Sequence, residues 1–504
     1  MSHLIYFAGL PGLIGRWTLV VLVLLGALPL AVATYQFALV GMHARRNHYS
    51  ETAPRLPRVA VVIPAWNEAA VIGTTIDRLL QLDYPRDRLR LYVVDDASTD
   101  ETPGIVRSKA AEHPGRVVHL RRETGGEGKA HTLNHGLSEI LEETWMEAVL
   151  IMDADVVYEP DSLRKMTRHF ADPEVGAVTA YIKEGSRPKN WMNRFIAYEY
   201  ITAQAAARRS QNVLGALACL AGGAQLHTRA NLEAIGGQID TTSLAEDTFT
   251  TFRTQLVGNR VVFDGNATVW AEEPNDIDGL WKQRLRWARG NVQVSLRFKH
   301  LWFRPTSDHH LGDVRFGLFW FCLLLLPVFM IAASASLVVL FFVDFPLSWA
   351  TFRALWILNA ISYVFITSFA LMIDPQTARR TWVEGILFPG LISFSIILYA
   401  CFPKLFRWTL LEVMDLFDIT ATTPVTRSII LFSYAWLAGA MLVAWTAKLL
   451  EPKRGWRILS PPLVYIAGYG PLLCAVTFTS YVKEARGAEM KWDKTEKTGK
   501  VEAA

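Results

Sequence analysis

Long apolar runs occupy most of the chain after about residue 313, and they constrain the fold more than any other feature. A helix needs roughly 20 apolar residues to cross a bilayer. Five late runs meet this length, and a sixth, residues 17–41, lies near the N-terminus. The late runs cover residues 315–343, 353–373, 384–403, 428–448 and 461–481. The sequence predicts a multi-pass membrane protein, with the number of late crossings left open because one run is a candidate re-entrant segment.

The composition fits a chain that is part soluble and part membrane. Hydrophobic residues make up 51% of the 504 residues and charged residues only 19%. The net charge of +4 is too small to indicate binding to nucleic acid, and basic pairs such as Arg379-Arg380 flank the apolar runs instead. The four cysteines lack metal-ligand spacing and imply no disulfide framework.

The distribution of basic residues predicts the orientation in the membrane. Arg45 and Arg46 follow the first apolar run, whereas a signal peptide would carry its positive charges before the run. We expect a retained helix whose C-terminal end is cytosolic, with a cleaved signal as the alternative. Residues 345–350 carry no basic charge and are predicted outside, while 374–381 and 449–459 are predicted in the cytosol. The predicted location is the inner (plasma) membrane.

Residues 44–312 have the pattern of an α/β domain. Strands rich in Val, Ile and Leu, which fit buried parallel strands, are predicted at 58–64, 89–96, 116–122, 146–155 and 175–181. Residues 68–82 and 128–143 have helical spacing between them. Such sheets bind ligands beyond the C-terminal ends of their strands.

Four segments organise the chain. We predict a transmembrane helix at 12–43, a cytosolic domain at 44–312 with an interfacial helix near 280–305, transmembrane helices at 313–482, and a cytosolic tail at 483–504. The aromatic and basic residues of 299–305 and the amphipathic pattern near 404–424 favour an interfacial position.

Two polar motifs directly follow predicted strands. In PAWNEA (residues 64–69), Ala65, Glu68 and the neighbouring amides are candidates for holding a nucleotide; an acid at a helix N-terminus is the alternative. In DDASTDET, either Asp95 or Asp96 is placed to accept a hydrogen bond from the N3–H of uracil, with an Asp-rich turn as the alternative.

The motif MDADVV carries a sharper signal for a metal site. Asp153 and Asp155 are two residues apart after a buried strand, so their side chains point the same way. Two like charges there require a positive partner. Mg²⁺ or Mn²⁺ bridging Asp155 to a diphosphate would supply it, and an exposed acidic turn is the alternative.

Two later motifs suggest a base and a substrate-binding face. Glu246 and Asp247 stand at a predicted helix start, and Asp247 is the preferred candidate general base. In LWKQRLRWARG, Gln283, Arg286 and Trp287 share one helical face, where an arginine can bind a diphosphate and an indole can stack under a sugar. A basic helix on the membrane surface is the alternative.

Together PAWNEA, DDASTD, DAD, AED and QRLRW resemble the motifs of processive membrane family 2 glycosyltransferases, such as cellulose, hyaluronan, chitin and poly-N-acetylglucosamine synthases. The resemblance covers roughly residues 55–300. It implies a GT-A fold and a single inverting displacement that forms β-linkages. Two positions depart from the family pattern, Ala245 in place of Thr and Ala97 in place of Gly.

The resemblance also implies roles for individual residues. It places Asp95 or Asp96 near uracil, Lys129 near the nucleotide, Asp153 and Asp155 at the metal and diphosphate, Asp247 as general base, and Gln283, Arg286 and Trp287 at the acceptor and diphosphate. The tail KWDKTEKTG resembles a gating loop with Trp492, Thr495 and Lys497 as nucleotide contacts. A charged disordered tail is the alternative.

The predicted function is processive synthesis of a polysaccharide from UDP-N-acetylglucosamine or UDP-glucose, with GDP-mannose left open, and export through the protein's own channel. The expected partners are the donor, the growing polysaccharide and the bilayer; an export partner and a homo-oligomer are left open. One alternative is a non-processive transferase with a lipid acceptor. Another is a transporter or scaffold with an inactive transferase domain, which the intact acids disfavour.

Overall fold

The computed structural model describes residues 10–46, 52–405, 408, 412, 423–452, 457–490 and 499–501. The chain forms two compact units. One consists of residues 1–37 and 318–482, and the other of residues 38–317 and 483–504. The described part of the first unit is helical, and the second contains an eight-stranded sheet.

The N-terminal apolar run forms two consecutive helices, α1 (Leu10–Leu25) and α2 (Leu28–Arg45). Taken as one helical segment, Gly12–Arg45 is long and apolar enough to cross a membrane. Helix α2 has His43 and Arg45 in its last turn, where positive charge favours the helix dipole. The prediction of a helix of membrane-spanning length in this region is confirmed.

The second unit is built around a mixed sheet. Its strands are β1 (Val59–Ala65), β2 (Leu89–Asp95), β3 (Val117–Arg121), β4 (Ala148–Ile151), β5 (Val156–Tyr158), β6 (Val175–Glu184), β7 (Gln225–Thr228) and β8 (Arg260–Ala271). They are ordered β3-β2-β1-β4-β7-β6-β8-β5 in space. The five strands predicted from the sequence correspond to β1, β2, β3, β4 and β6.

The first four strands pair in parallel. Strand β1 lies between β2 and β4, and nearly all of its residues are buried. Burial on both faces explains why these strands appear in the sequence as continuous apolar runs without alternation. The prediction of parallel strands is therefore confirmed for this half of the sheet.

The second half of the sheet departs from the prediction. Strand β7 runs antiparallel to both β4 and β6, and β5 runs antiparallel to β8. Strand β7 has only four residues, and two of them are the buried polar Gln225 and His227. An Nδ1 contact of 3.0 Å to Asn231 satisfies the His227 ring. Because of these polar residues, the short buried strand cannot be recognised as an apolar run in the sequence.

Nine helices are described in this part of the chain. They are α3 (Ile72–Leu80), α4 (Thr102–Glu112), α5 (Lys129–Glu142), α6 (Ser162–Thr167), α7 (Trp191–Glu199), α8 (Ala206–Leu214), α9 (Arg229–Ala234), α10 (Glu246–Leu256) and α11 (Ile277–Arg297). A π-helical turn, Tyr200–Ala205, joins α7 to α8. Leu133, Leu137 and Ile140 of α5 pack against the sheet, which confirms the helical spacing predicted there.

The late part of the chain is a series of helices. They are α12 (Val314–Leu324), α13 (Leu326–Val343), α14 (Phe345–Ile373), α15 (Pro375–Arg380), α16 (Trp382–Ile386), α17 (Leu391–Cys401), α18 (Thr423–Leu450), α19 (Ser460–Ala467) and α20 (Tyr469–Ala485). In the described residues of both units, four helices are long and apolar enough to cross a membrane: Gly12–Arg45, α13, α14 and Pro424–Leu450. The count rises to five if α19 and α20 form one bent span.

The late spans differ from the prediction in three places. The run at 315–343 is divided between α12 and α13, where Pro327 stands in the first turn of the new helix. The longest helix in the run at 384–403 is the 11-residue α17, which follows the end of α16. The run at 461–481 bends by 102° between α19 and α20.

A contact between two glycines accounts for two of these breaks. Gly390, before α17, and Gly468, between α19 and α20, both have positive φ. A Cβ on Gly390 would lie 2.4 Å from the carbonyl carbon of Ala467. The two backbones approach too closely for any other residue, and both helices are interrupted there.

One smaller prediction is also wrong. Residues 345–350 are not a loop but the first turns of α14, and Asp344 caps this helix by accepting a hydrogen bond from the Leu347 amide at 3.2 Å. Trp302, in the segment predicted at the membrane interface, is buried, stacks on Phe316 with 6.2 Å between ring centroids, and donates to the Ser295 carbonyl. The interfacial position of residues 299–305 stays a prediction. Most of the interfacial segment predicted near 404–424 lies outside the described residues.

Candidate active site

Parallel pairing aligns the strand ends that carry the predicted site residues. Ala65 at the end of β1 pairs with Asp95 at the end of β2. Ile151 at the end of β4 pairs with both Val62 of β1 and Gln225 at the start of β7. The segments that follow β1, β2 and β4, and the one that precedes β7, therefore meet at the same edge of the sheet.

The loops after β1 and β2 are hydrogen-bonded to each other. The Asn67 amide donates to the Ser98 hydroxyl at 2.9 Å, and the Thr99 amide donates to the Asn67 side chain at 2.9 Å. The Glu68 amide donates to Thr102 Oγ1 at 2.8 Å. Two of the amides that the sequence offered for nucleotide binding, those of Asn67 and Glu68, thus bond within the protein.

Asp95 and Asp96 are both buried and bonded. Asp95 Oδ2 lies 3.0 Å from Arg121 Nη1. Asp96 pairs with Arg122 and accepts a hydrogen bond from the Gly126 amide at 3.0 Å. These bonds connect the end of β2 to the end of β3 and to the segment that follows it. Contact of either carboxylate with uracil stays a prediction.

Ala97, one of the departures from the family pattern, lies in the left-handed region of the backbone with φ of +54°. Glycine adopts this conformation freely, whereas other residues lose about 1–2 kcal/mol there. The backbone is closely packed at this point, since a Cβ on Gly125 would lie 2.1 Å from the Asp96 carbonyl oxygen. The turn is therefore formed with alanine at this position, and the Ala97 backbone is strained.

Lys129, the first residue of α5, joins the acids from two parts of the chain. Its ammonium lies 2.6 Å from Asp153 Oδ1 and 3.5 Å from Glu246 Oε1, and it donates to the Gly222 carbonyl at 3.2 Å. Burial alone would lower the pKa of Lys129, but Asp153 and Glu246 raise it above its ordinary value. The lysine is therefore protonated at neutral pH and supplies positive charge beside the DAD motif.

The two acids at the start of α10 have different surroundings. Glu246 is buried, and burial raises its pKa, while Lys129 and Arg286 oppose that rise. Asp247 is partly exposed and accepts a hydrogen bond from the Thr248 amide at 2.7 Å. A more exposed carboxylate is the better candidate to meet a substrate hydroxyl, which favours Asp247 over Glu246 as the base.

A pair of glycines before β7 allows these groups to approach one another. A Cβ on Gly222 would lie 3.2 Å from Lys129 Nζ and 3.4 Å from Asp247 Oδ2. The Gly223 carbonyl accepts a hydrogen bond from the Tyr158 hydroxyl at 3.0 Å. These two glycines had no predicted role, although adjacent glycines before a strand indicate close backbone approach.

Asp153 and Asp155 are both partly exposed at this edge. No group of three or more His, Cys, Asp or Glu side chains that could hold a metal occurs in the described ranges. Two carboxylates still fit Mg²⁺ or Mn²⁺, because such ions complete their coordination with water and substrate phosphates. Any metal here would depend on the donor for part of its coordination.

Helix α11 carries Gln283, Arg286 and Trp287, which are each partly exposed. Arg286 is close enough to Glu246 to lower its pKa. The helix also packs closely at Gly290, where an added Cβ would lie 2.5 Å from Ala245 Cβ. Gly290 was not identified from the sequence, yet it sets the distance between α11 and the start of α10.

Replacing Gly290 by alanine is expected to displace the start of α10 and its two acids. We expect a loss of about 1–3 kcal/mol in stability and a roughly ten- to hundredfold lower kcat. Activity and the thermal unfolding midpoint of the purified full-length protein would measure both. Gly104→Ala is the matched control, since its Cβ would meet only Glu101 Oε2 at 3.6 Å. Equal behaviour of the two variants would contradict the close-packing argument.

The predicted gating residues Trp492, Thr495 and Lys497 lie outside the described residues. Residues on both sides of them are hydrogen-bonded to other parts of the second unit. Arg289 of α11 donates to the Ala488 carbonyl at 2.6 Å, and the Arg187 amide donates to the Lys500 carbonyl at 2.8 Å.

The structure thus gathers Lys129, Asp153, Glu246 and Asp247 into one site. Asp155 lies beside them in the chain, and Arg286 reaches them from α11. The other predicted donor residues, Ala65, Glu68, Asp95 and Asp96, are in the adjoining loops.

Comparison with known proteins identifies the family. A family model described as "Glycosyltransferase like family 2" matches residues 57–290. The probable glycosyltransferase YdaM of Bacillus subtilis (strain 168) is 30% identical over 373 residues, which cover 73% of this chain and 84% of that protein.

Two further relatives match over a shorter length. The beta-monoglucosyldiacylglycerol synthase of Synechocystis sp. is 33% identical over 242 residues, 48% of this chain and 49% of that protein. The poly-beta-1,6-N-acetyl-D-glucosamine synthase of Staphylococcus epidermidis is 28% identical over 240 residues, 47% of this chain and 56% of that protein. The chain thus spans about half the length of each of these two relatives.

Proposed function

The chain belongs to glycosyltransferase family 2, and on that basis we propose that it is an inverting, processive β-hexosyltransferase. It is a nucleotide-sugar-dependent hexosyltransferase with a GT-A-type α/β domain, followed by apolar helices. The observation that carries the proposal is the buried contact of Lys129 with Asp153 and Glu246, beside the partly exposed Asp247.

In the proposed reaction Asp247 acts as the general base. It accepts the proton of the acceptor hydroxyl while that oxygen bonds to C1 of the donor sugar. The bond between C1 and the diphosphate oxygen breaks on the opposite face, and the nucleoside diphosphate leaves with the electron pair. Lys129 remains a cation beside the leaving group, and Arg286 is placed to bind the diphosphate.

The charges of the site favour a divalent cation. Asp153, Asp155, Glu246 and Asp247 carry four formal negative charges, against two positive charges on Lys129 and Arg286. Such a surplus of negative charge would repel a diphosphate unless a cation joined the site. Asp155 and Asp153 would hold Mg²⁺ or Mn²⁺, which would supply positive charge to the departing diphosphate.

A chelator is expected to abolish nucleotide release by the purified protein, and added Mn²⁺ or Mg²⁺ to restore it. Asp155→Ala is expected to lower release at least about a hundredfold, since an electrostatic contact to the leaving group is lost. Asp161→Ala is the control, because Asp161 forms a surface ion pair with Lys165. Full activity in the chelator would exclude the metal from the reaction.

The acceptor is proposed to be the growing polysaccharide. The QRLRW motif and the similarity to a poly-β-1,6-N-acetyl-D-glucosamine synthase support this choice. UDP-N-acetylglucosamine or UDP-glucose would be the donor, and the late helices would export the product from a cytosolic catalytic domain across the inner membrane. Trp492, Thr495 and Lys497 are proposed to contact the nucleotide.

A lipid acceptor is the second candidate. It is favoured by the 33% identity to a beta-monoglucosyldiacylglycerol synthase over 242 residues. The two functions differ in product length. Protein in diacylglycerol-containing liposomes, supplied with labelled donor, would give a ladder of oligosaccharides or polymer if it is processive. A single glycolipid would instead establish the second function.

A further inference from the structure

Arg284 lies within the motif QRLRW but had no assigned role. Its side chain is only 5% exposed. A buried guanidinium is strongly disfavoured unless carboxylates and hydrogen bonds compensate its charge. The surroundings of Arg284 provide both.

Glu199, at the end of α7, binds Arg284 through two parallel contacts. Arg284 Nε donates to Glu199 Oε1 at 3.1 Å, and Nη2 donates to Oε2 at 2.9 Å. Glu273 Oε2 lies 3.9 Å from Arg284 Nη1. Two-pronged pairing fixes the plane of the guanidinium as well as its position.

Tyr200 completes the buried network. Its hydroxyl donates to Glu273, and burial raises its pKa, so it stays a protonated donor at neutral pH. Its ring centroid is 5.8 Å from Arg284 Cζ. Tyr200 also begins the π-helical turn between α7 and α8, and such turns occur frequently at functional sites.

The fixed guanidinium contacts two of the residues that we place at the acceptor. Arg284 Cζ lies 4.1 Å from the centroid of the Trp287 indole, which is a favourable cation–π distance. Arg284 Nη1 also donates to the Gln283 side-chain oxygen. Arg284 therefore connects a rigid buried cluster to the partly exposed face of α11.

We propose that Arg284 is a positioning residue that orients Trp287 and Gln283 for the acceptor, through its buried pairing with Glu199 and Glu273. The inference rests on the proposed function. It states that this buried network holds the residues that bind the acceptor. Lysine cannot replace arginine in the role, because an ammonium lacks the planar face and the two-pronged geometry.

Arg284→Lys keeps the positive charge and tests the proposal. The variant and wild type would be assayed as full-length protein in diacylglycerol-containing liposomes. The donor would be UDP-N-acetylglucosamine, UDP-glucose or GDP-mannose. Each donor would be tested with and without a β-1,6-linked N-acetylglucosamine trisaccharide as acceptor. The KM for the acceptor that the wild type uses, trisaccharide or lipid, is expected to rise about tenfold, with the donor KM within twofold. Equal rises in both KM values, or none, would overturn the proposal.

A double-mutant cycle separates positioning from a purely structural role. With Trp287→Ala in place, adding Arg284→Lys is expected to raise the acceptor KM by much less than it does in the wild type, because the indole that it orients is gone and only Gln283 still depends on the arginine. A further rise of the same size would refute the inference. Arg229→Lys is the matched control; this arginine bonds Glu233 at the opposite edge of the sheet, and the acceptor KM should not change.

The same assays separate the two claims. Wild-type protein that releases no nucleotide from any donor would overturn the proposed function and the inference with it. Wild-type release together with an unchanged acceptor KM in Arg284→Lys would overturn the inference alone. A Glu199→Gln variant that folds should reproduce the acceptor effect of Arg284→Lys, and failure to do so would contradict the network.

Discussion

Replacing Asp247 by asparagine is expected to lower the rate of sugar transfer about a thousandfold, because loss of a general base typically costs 10²–10⁴-fold. The amide has nearly the shape of the carboxylate but cannot accept the hydroxyl proton. Binding of the nucleoside diphosphate should stay within about threefold, because Asp247 is proposed to act on the acceptor side. The measurement is kcat for nucleotide release with acceptor present, together with the dissociation constant of UDP.

Asp87→Asn provides the matched control for this variant. Asp87 is an exposed residue in the turn before β2, and the same change of charge there should leave kcat unaltered. If Asp247→Asn keeps more than a tenth of the wild-type rate, another group removes the proton. Glu246→Gln would then be the next variant to examine.

Replacing Lys129 by methionine is expected to have the largest effect on stability. The change removes the cation from between Asp153 and Glu246 and leaves the buried carboxylate of Glu246 without the charge of Lys129. Breaking a buried ion pair in this way costs on the order of 3–5 kcal/mol. Thermal unfolding of the purified protein should show a midpoint lowered by roughly 6–12 °C or more, and transfer should be lost.

Lys165→Met is the comparison for this effect. Lys165 pairs with Asp161 one helical turn away, at 2.7 Å, but both side chains are partly exposed to solvent. A surface pair of this kind contributes about 0–1 kcal/mol. Similar unfolding midpoints for the two variants would mean that Lys129 is not the buried cation that the site requires.

The local sequence predicted the parallel half of the sheet because those strands are buried on both faces. Strand β7 was missed since its Gln225 and His227 are polar yet buried, and β8 was missed since charged and glycine residues interrupt its 12 residues. The breaks at Gly390 and Gly468 depend on a contact between distant segments. No window of local hydropathy contains that information.

The acids were identified by residue type and motif, and Lys129 by the family resemblance, but their mutual distances were not predicted. The contact of Lys129 with Asp153 requires the fold, since the two residues come from different elements. Arg284 was missed because its role depends on its contacts with Glu199 and Glu273, which are distant from it in the sequence. Its position three residues before Trp287 on one helix was the available signal.

Nucleotide release by the purified full-length protein is the most direct test of the central claim that these acids and Lys129 form a sugar-transfer site. The protein would be supplied with Mn²⁺ or Mg²⁺ and, in turn, UDP-N-acetylglucosamine, UDP-glucose and GDP-mannose. We predict release of nucleoside diphosphate from one of these donors, with a new β-linkage in the product. Absence of release from all three, by folded protein in the presence of metal and acceptor, would contradict the account.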